Sequence, residues 1–350
     1  MSPTVDLMPK LIVQIPCYNE AETLGITAAE LPREIAGFDQ VEWMVIDDGS
    51  SDGTADLATE LGFDHVIRLN GHQGLARAFS AGLEAALGLG ADVIVNTDAD
   101  NQYHAGDIPL LVAPLLAHEA EIVIGARPIG ETAHFSPVKK ILEKLGSAVV
   151  RIASGTTTED APSGFRAMSR DAAMRLHIFG DYTYTLESII QAGQNGMRIV
   201  SVPVRTNAEL RQSRLVKSTL RYVVRSTATI ARIFVIYRPL VLFLPLAAIL
   251  GVAGMLLGAR YLYFIAQGEG AGHIQSVILA AALVATGVFV GLIGVIADLI
   301  ATNRKLLERL DWKLYKIEEA MERRTGRSDD ESGAQSTGAE IIDRRVWGGR

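Results

Sequence analysis

The chain has 350 residues, a length that suggests about two structural units. Its formal net charge of -7 argues against a general nucleic-acid binder, because such proteins carry a basic surface. The single cysteine, Cys17, excludes an intrachain disulfide framework and a cysteine-rich zinc site. The hydrophobic content of 49% is high for a soluble protein, and the apolar residues are concentrated in the second half of the chain.

Between residues 11 and 200, short β-rich runs alternate with helical patterns. The predicted strands are Leu11–Ile15, Glu42–Ile46, His65–Leu69, Val93–Thr97 and Glu121–Gly125. The predicted helices are Glu22–Ile35, Ala55–Gly62, Leu75–Gly88 and Ile108–His118. Because several strands are apolar on both faces, the pattern indicates an α/β fold with a mostly parallel sheet covered by helices. Ligands of such sheets bind at the carboxyl ends of the strands, so the residues that follow each strand are the candidates for function.

Two segments of this kind follow the first and second strands. The segment PCYNE, residues 16–20, offers the aromatic ring of Tyr18 to a base, and Glu20 is either an acceptor or part of the first helical turn. The segment DDGSSDGT, residues 47–54, contains glycines that permit a tight turn and the close approach of a ligand to the backbone. A capped strand–helix turn without a ligand is the alternative interpretation of the second segment.

The strand Val93–Thr97 is followed by the sequence DADNQ, residues 98–102. Residues two apart in an extended segment face the same side, so Asp98, Asp100 and Gln102 are expected to converge as oxygen ligands. Mg²⁺ and Mn²⁺ prefer carboxylate and amide oxygens and share their remaining positions with water and substrate phosphates. The segment therefore predicts a divalent-cation site, although a D-x-D pattern alone also occurs in ordinary surface loops.

Two long runs without charge follow in the second half of the chain. Pro239–Gly258 has twenty such residues and Ile274–Ala297 has twenty-four, enough to cross about 30 Å of hydrocarbon. The alternative is a pair of buried core helices. Segment 211–240 has seven basic residues and no acid, and segment 303–324 has seven beside five acids, so the positive-inside rule predicts that both ends of the hairpin face the cytoplasm. The N-terminus has no basic region followed by an apolar stretch, so we expect the first domain to remain cytoplasmic as well.

Amphipathic patterns flank the two apolar runs. Basic residues recur at steps of three, four, four and seven, which favours an interfacial helix on anionic lipid over a merely solvated face; they are Arg214, Lys217, Arg221, Arg225 and Arg232. After the second run, the 3-4 spacing of Leu307, Leu310, Leu314, Ile317 and Met321 fits a short coiled coil or a helix on the membrane. We therefore divide the chain into a catalytic domain (1–210), a juxtamembrane helix (211–238), two spans within 239–301 (239–264 and 274–299), a further helix (302–324) and a disordered tail (325–350).

Several motifs, in order and at similar spacing, resemble those of family 2 glycosyltransferases of the GT-A fold: VQIPCYNEAETL (Val13–Leu24), VIDDGSSDGT (Val45–Thr54), Gly74–Phe79 and Asp98–Gln102. The segment DAPSGFRA, Asp160–Ala167, is similar to the corresponding segment of dolichol-phosphate mannose synthases and bacterial polyprenyl-phosphate glycosyltransferases. The apolar hairpin and the YRPL sequence that precedes it resemble the bacterial members of that group. The resemblance covers roughly residues 10–305.

The resemblance implies functions for individual residues. It assigns nucleotide binding to Pro16, Tyr18, Glu20, Asp48, Gly74 and Asp98, and metal binding to Asp98, Asp100 and Gln102. It assigns the diphosphate or the acceptor phosphate to Arg127 and Arg166, with Arg211, Ser213 and Arg214 as further acceptor contacts. The predicted catalytic set is Asp98, Asp100, Arg127, Arg166 and Asp160. Asp160 and Glu187 are expected to orient arginines, contact the sugar or form structural ion pairs.

The sequence departs from the family pattern at RQSR, residues 211–214, where Gln and Arg stand for the usual Gly and Lys. Positive charge is retained there, so binding of the acceptor phosphate and plain contact with lipid headgroups are both open.

The resemblance implies inverting, metal-dependent transfer of a hexose from a UDP- or GDP-sugar to undecaprenyl phosphate, giving a β-linked product from an α-linked donor. The expected cofactor is Mg²⁺ or Mn²⁺. The expected location is a bacterial-type cytoplasmic membrane, crossed more than once with both termini inside, and we expect a homo-oligomer that does not bind nucleic acid. The alternatives are transfer to a sugar hydroxyl, which would need a carboxylate base, and an inactive binding or assembly module.

Overall fold

The computed structural model describes residues 9–128, 150–151, 154–156, 158, 160–178, 184–207, 232, 235–268 and 274–330. The chain forms two compact units, residues 1–306 and 307–350. The first contains a sheet with its covering helices and a helical hairpin. In the second, the described residues continue the last helix of the chain.

Seven strands form a single sheet in the described part of the first unit. They are β1 (Lys10–Cys17), β2 (Gln40–Asp47), β3 (His65–Arg68), β4 (Val93–Asn96), β5 (Ile122–Ala126), β6 (Arg166–Ser169) and β7 (Ile199–Pro203). Their order is β3-β2-β1-β4-β6-β5-β7, and β6 runs antiparallel to both of its neighbours. The predicted α/β fold with a mostly parallel sheet is confirmed. The antiparallel strand matters for function, because it brings the preceding loop, residues 160–165, to the carboxyl end of β4.

The helices of the sheet region are α1 (Ala21–Glu30), α2 (Thr54–Glu60), α3 (Leu75–Gly88), α4 (Ile108–Leu116), α5 (Arg170–Met174) and α6 (Tyr184–Gln194). A 3-10 turn, Ala105–Asp107, precedes α4. The helix predicted over Glu22–Ile35 ends earlier, at Glu30, and Leu31 is extended. Pro32 explains the difference, because a proline disfavours helical backbone in the residue before it.

The sheet core is apolar and continuous. Leu11, Val13 and Ile15 of β1 are fully buried, and they pack with Val45 of β2 and Val95 of β4. In the parallel pairing of β1 with β2, Cys17 lies opposite Asp47, and in that of β1 with β4, Gln14 lies opposite Asn96. The segments that follow these three strands therefore emerge side by side at one edge of the sheet.

Two helices form the hairpin, α7 (Pro239–Ala266) and α8 (Ile274–Asp330). Both are long and apolar enough to cross a membrane, α7 over its whole length and α8 over Ile274–Arg304. Only 6% of the most apolar stretch of α7, and 17% of the most apolar stretch of α8, is buried inside the protein. Neither helix is therefore a core helix of the sheet domain. The alternative of buried core helices is therefore excluded.

Glycines allow the two hairpin helices to approach closely. A Cβ atom at Gly254 would lie 2.7 Å from a Val284 methyl carbon, and one at Gly287 would lie 3.0 Å from the carbonyl oxygen of Ala247. Small residues at such contacts let helix backbones pack against each other where no hydrophobic driving force between the helices is available.

The last helix is longer than predicted. It continues without interruption from the second span to Asp330, beyond the predicted start of a disordered tail at residue 325. Because adding a residue to an existing helix is far easier than starting one, the preceding turns extend it. In the second unit, Leu307, Leu310, Leu314 and Ile317 are exposed, which leaves a coiled coil and a membrane-surface helix both open. The juxtamembrane segment 208–231 and residues 331–350 lie outside the described residues.

Candidate active site

The candidate site lies where β1, β2 and β4 end. Its cation side is the segment 98–102, which is a turn rather than the extended segment predicted from the sequence. Asn101 adopts a left-handed backbone conformation with φ of 54°, and the backbone N–H of Gln102 donates to Asp100 Oδ1 at 3.1 Å. The convergence of Asp98, Asp100 and Gln102 therefore cannot come from strand alternation. The turn brings Asp98 and Asp100 together, and the Gln102 side chain as a third ligand stays a prediction.

The Asp98 carboxyl is in a strongly negative and desolvated position. Burial, followed by the neighbouring Asp100 carboxylate, raises the pKa of Asp98 to about 7, with a smaller contribution from Glu20. Arg127 and Arg166 act in the opposite direction without compensating fully. An excess of negative charge on oxygen ligands is the condition that a bound divalent cation relieves. The donor set therefore fits Mg²⁺ or Mn²⁺, although no group of three His, Cys, Asp or Glu side chains suited to a metal occurs among the described residues.

A buried polar layer lies beneath Asp98. The Asn96 side chain donates to the carbonyl of Gly164 and to the hydroxyl of Tyr184, both at 2.9 Å, and accepts from Gln14 at 3.0 Å. A Cβ atom at Gly164 would lie 2.9 Å from both Asp98 carboxylate oxygens. Only glycine leaves room for the carboxylate at this position.

The nucleotide side brings together the segments after β1, β2 and β3. The Tyr18 ring stacks on His72 at 3.9 Å between centroids, and His72 Nδ1 lies 2.8 Å from Asp48 Oδ2. The backbone N–H groups of Gln73 and Gly74 donate to the two oxygens of Asp48 at 2.7 and 2.8 Å. His72 thus occupies the aromatic face of Tyr18, which the sequence offers to a base, and contacts Asp48, to which the resemblance assigns nucleotide binding.

The remaining predicted nucleotide residues lie near this cluster. Pro16 is in β1, opposite Ile46 of β2. The backbone N–H of Glu20 donates to Thr54 Oγ1 at 2.9 Å, and its carboxylate accepts from Thr23 at 2.9 Å. The structure thus places Tyr18, Asp48 and Gly74 in one cluster, with Glu20 close enough to Asp98 to affect the pKa of that carboxyl.

Arg127 follows β5 and is held by Asp160. Its Nε and Nη2 donate to the two Asp160 carboxylate oxygens at 2.8 and 3.0 Å, and its backbone N–H donates at 3.1 Å. Asp160 is 1% exposed and Arg127 is 11% exposed at the side chain. A bidentate pair of this kind fixes the plane of the guanidinium. Of the three functions considered for Asp160, this geometry fits the orientation of an arginine and equally a structural ion pair.

Arg166 is placed differently from the prediction. It is 1% exposed, and its guanidinium donates to the carbonyl of Ser163, to the carbonyl of Thr185 at 3.2 Å and to Ser188 Oγ at 2.5 Å. Burial is the largest cause of its lowered pKa. A guanidinium enclosed in this way does not reach an acceptor phosphate. Its charge instead acts on Asp98 from inside the protein, where it lowers the pKa of that carboxyl.

Glu30 links the turn at residues 98–102, which we call the cation turn, to the segment that precedes the hairpin. Its two carboxylate oxygens accept from the side chains of Asn101 and Asn207, at 3.1 and 3.0 Å. The backbone N–H of Asn207 also donates to the carbonyl of Gln102 at 2.9 Å. The predicted acceptor residues Arg211, Ser213 and Arg214 begin four residues later and lie outside the described residues.

Sequence reasoning missed His72, Asn96, Tyr184 and Glu30. Asn96 carried a signal, because a polar residue inside an otherwise apolar strand is unusual. The other three are brought to the site only by tertiary structure.

Comparisons with known proteins place the sheet domain in a family. The family described as "Glycosyl transferase family 2" matches residues 12–176. The chain is 30% identical over 217 residues to the undecaprenyl-phosphate mannosyltransferase of Micrococcus luteus, covering 59% of this chain and 87% of the relative. It is 30% identical over 230 residues to the polyprenol monophosphomannose synthase of Mycolicibacterium smegmatis, covering 62% and 85%.

Among solved structures, the chain is similar to glucosyl-3-phosphoglycerate synthase from Mycobacterium tuberculosis, in complex with Mn²⁺, UDP and phosphoglyceric acid. The TM-score is 0.52 at 20% sequence identity, covering 65% of this chain and 78% of that one. At this identity the likeness shows the fold, and the predicted GT-A fold is confirmed.

Proposed function

Since the chain belongs to the family 2 glycosyltransferases, we propose that it transfers a hexose from a UDP- or GDP-sugar to a polyprenyl phosphate at the cytoplasmic face of a membrane. The observation that carries the proposal is the position of Asp98. It lies between the cluster of Tyr18 and Asp48, which offers groups suited to a base, and the paired Arg127, and its charge is poorly compensated. The names of the two relatives support a polyprenyl phosphate as the acceptor.

We assign the cation to Asp98 and Asp100, with the Gln102 amide as the further ligand. A divalent cation bound there supplies Lewis-acid stabilisation of a diphosphate leaving group. The Mn²⁺ in the complex of the structural neighbour is consistent with this assignment. Within the protein, Gly164 leaves the space that the Asp98 carboxylate occupies, and Asn96 and Tyr184 support the loop behind it.

On the acceptor side, we propose that Arg127 contacts phosphate oxygens in the orientation that Asp160 imposes. A phosphate monoester has its second pKa near 6, so at neutral pH it is largely dianionic and can attack without losing a proton. The reaction therefore requires no general base, in contrast to transfer to a sugar hydroxyl. What the protein must supply is cationic positioning, and Arg211 and Arg214 are the further candidates.

The apolar hairpin supports the membrane location. Two helices of sufficient length leave large apolar side chains exposed along both faces, as lipid-facing segments do. The basic residues before α7 and after the span in α8 favour a cytoplasmic position for both ends of the hairpin. An enzyme held there is at the surface where a polyprenyl phosphate presents its head.

The test is a donor screen with the full-length protein in lipid nanodiscs containing undecaprenyl phosphate. UDP- and GDP-sugars carrying a radiolabelled hexose are offered with Mg²⁺ or Mn²⁺, and label in the lipid fraction is measured. We expect transfer with one nucleotide class and loss of transfer in EDTA. Absence of transfer with every donor, together with transfer to a soluble sugar, would overturn the proposal. NMR of the product should show a β-linkage from an α-linked donor, and a retained anomer would exclude direct displacement.

A further inference from the structure

Three side chains from separate parts of the chain meet where the hairpin contacts the sheet domain. Glu187 is on α6, Tyr237 lies just before α7, and Arg304 lies at the end of the apolar part of α8. We refer to these three residues as the hairpin junction. These segments are distant in sequence, and polar contacts join them beside two apolar helices. Membrane insertion alone does not require such contacts.

The contacts in the hairpin junction link all three side chains to one another. The Tyr237 hydroxyl donates to Glu187 Oε1 and accepts from Arg304 Nη2, both at 2.8 Å. Arg304 Nη2 also lies 3.5 Å from Glu187 Oε1, and the guanidinium carbon lies 4.7 Å from the centre of the Tyr237 ring. Two glutamines of α6 add to these contacts: Gln191 donates to the Tyr237 hydroxyl at 3.4 Å, and Gln194 donates to the Tyr237 carbonyl at 3.2 Å.

The charged members are shielded from solvent. The side chain of Glu187 is 12% exposed, that of Arg304 is 24% exposed, and Tyr237 is 8% exposed. The first two causes of the raised pKa of Tyr237 are burial and the Glu187 carboxylate. Removing one charge of a shielded pair leaves the other without compensation, which is more disruptive than losing an exposed pair.

The first turn of α6, which carries Glu187, also reaches the buried polar layer beneath Asp98, the floor of the candidate active site. Tyr184, its first residue, accepts from the Asn96 side chain at 2.9 Å and stacks on Phe79 at 3.8 Å between ring centroids. Ser188 Oγ accepts from Arg166 at 2.5 Å. Tyr184 and Glu187 are three residues apart, which is less than one helical turn. The same short helix therefore contributes side chains both to the floor beneath Asp98 and to the contact with the hairpin.

We propose that Glu187, Tyr237 and Arg304 are positioning residues that hold the catalytic domain on the membrane hairpin in one orientation. Through α6, this orientation fixes the active-site floor relative to the bilayer surface, where a lipid phosphate must approach. The role assigned to the three residues is to orient the domain, not to bind donor or acceptor. Their effect is on the use of a membrane-embedded acceptor, while the nucleotide side keeps its own contacts within the sheet domain.

The part of this inference that concerns a lipid acceptor rests on the proposed function. The test therefore includes one readout that does not depend on that function. Full-length Glu187→Arg, Arg304→Glu and the double variant are placed in nanodiscs. Hydrogen exchange of the α6 backbone amides reports the junction without any substrate. The KM for undecaprenyl phosphate and the Kd for the nucleotide are measured on the same samples.

We expect each single variant to exchange faster in α6 and to raise the KM for the lipid by about tenfold, while the nucleotide Kd stays within about twofold. The double variant restores the pair with reversed charges and should recover both properties. Arg260→Glu is the matched control, because Arg260 is an exposed arginine of the same hairpin whose guanidinium lies over the Phe264 ring.

If the charge variants do not fold, Tyr237→Phe decides the matter, because it removes only the hydroxyl that joins the other two side chains. Unchanged α6 exchange in Tyr237→Phe, or a double variant no better than the singles, would overturn the inference. Faster α6 exchange in a protein whose wild type transfers no sugar to lipid would instead support the junction and reject the proposed acceptor.

Discussion

The carboxyl edge of the sheet buries polar side chains, whereas the hairpin exposes apolar ones. At the carboxyl edge of the sheet, Gln14, Asn96 and Asp48 are buried with their polar atoms, and hydrogen bonds hold them in place. Along the hairpin, large apolar side chains such as Ile249 and Phe289 are more than 60% exposed. Buried polar groups require specific partners, whereas exposed apolar groups require only a suitable solvent. Substitutions should therefore affect chemistry in the first region and assembly in the second.

Glycine shows the same contrast at two positions. Gly164 leaves room for a carboxylate, and Gly287 leaves room for a neighbouring helix. The first absence of a side chain leaves space for the Asp98 carboxylate, and the second lets two helices pack closely.

The largest effect is expected from Asp98→Asn. Loss of the carboxylate should lower sugar transfer by at least about a hundredfold, the usual magnitude when a major electrostatic group of an active site is removed. The metal-free variant should nevertheless be more stable than the wild type at pH 8, because it lacks a poorly compensated charge. Thermal unfolding and transfer assays on the same samples test both statements. Asp56→Asn is the control, since Asp56 is exposed and paired with Arg68. A variant that is less stable at pH 8 would contradict this account of Asp98.

The next effect concerns pH. The pKa of Asp98 is raised from 3.8 to about 7, so its charged form is disfavoured in the folded protein. This raised pKa stabilises the metal-free fold most at low pH, and the stabilisation is lost as the pH rises to about 7. A cation must displace the proton, so its affinity should fall by up to about tenfold per pH unit below 7. Calorimetric titration with Mn²⁺ at pH 5.5, 6.5 and 7.5 measures this slope. A flat profile would mean that Asp98 is already ionised at pH 5.5.

A smaller effect is expected in the hairpin. Gly287→Leu places a side chain against the carbonyl oxygen of Ala247, and overpacking of this kind costs about 1–3 kcal/mol. Thermal unfolding in detergent should shift downward by several degrees, while nucleotide binding persists. Gly251→Leu is the matched control in the same hairpin, because a Cβ atom there meets nothing within 4 Å. Loss of nucleotide binding in Gly287→Leu would show that the two regions are not separable in this way.

The smallest effect is expected from His72→Ala. His72 stacks on Tyr18 and contacts Asp48, so it competes with a base for the same groups. Its removal should tighten nucleotide binding by about three- to tenfold, corresponding to the loss of one competing hydrogen bond. Calorimetry with UDP and GDP measures the change, and His65→Ala, at the first residue of β3, is the control. Weaker binding would mean that His72 contributes to the base site instead of occupying it.

The sheet and the hairpin could be predicted because local sequence determines them. Alternating apolar strands and helices, and two charge-free runs, are signals that each segment carries by itself. The order of motifs located the carboxyl edge of the sheet and the groups around Asp98 and Asp48. The antiparallel strand β6 is only four residues long and carried no comparable signal.

The function of the arginines could not be predicted because it depends on tertiary partners. Arg127 and Arg166 have similar sequence surroundings, each after a glycine-containing segment. The structure pairs one with Asp160 at the edge of the site and encloses the other among carbonyls and Ser188. The turn at Asn101 was missed for a related reason, because its left-handed backbone is supported by Glu30, which lies in α1 and is distant in sequence.

The two bonds of Glu30 have a consequence for the order in which the protein is made. They join residues 71 and 177 positions away, and both partners precede the first apolar helix at Pro239. Because a chain emerges from the ribosome from its N-terminus, the cation turn can close before either span has been synthesised. Of the three junction residues Arg304 is synthesised last, so the hairpin junction can form only after Glu30, Asn101 and Asn207 have all been synthesised. The residues at the carboxyl edge of the sheet are thus synthesised before the membrane hairpin. A chain truncated before the second span retains every described residue that is assigned to the donor.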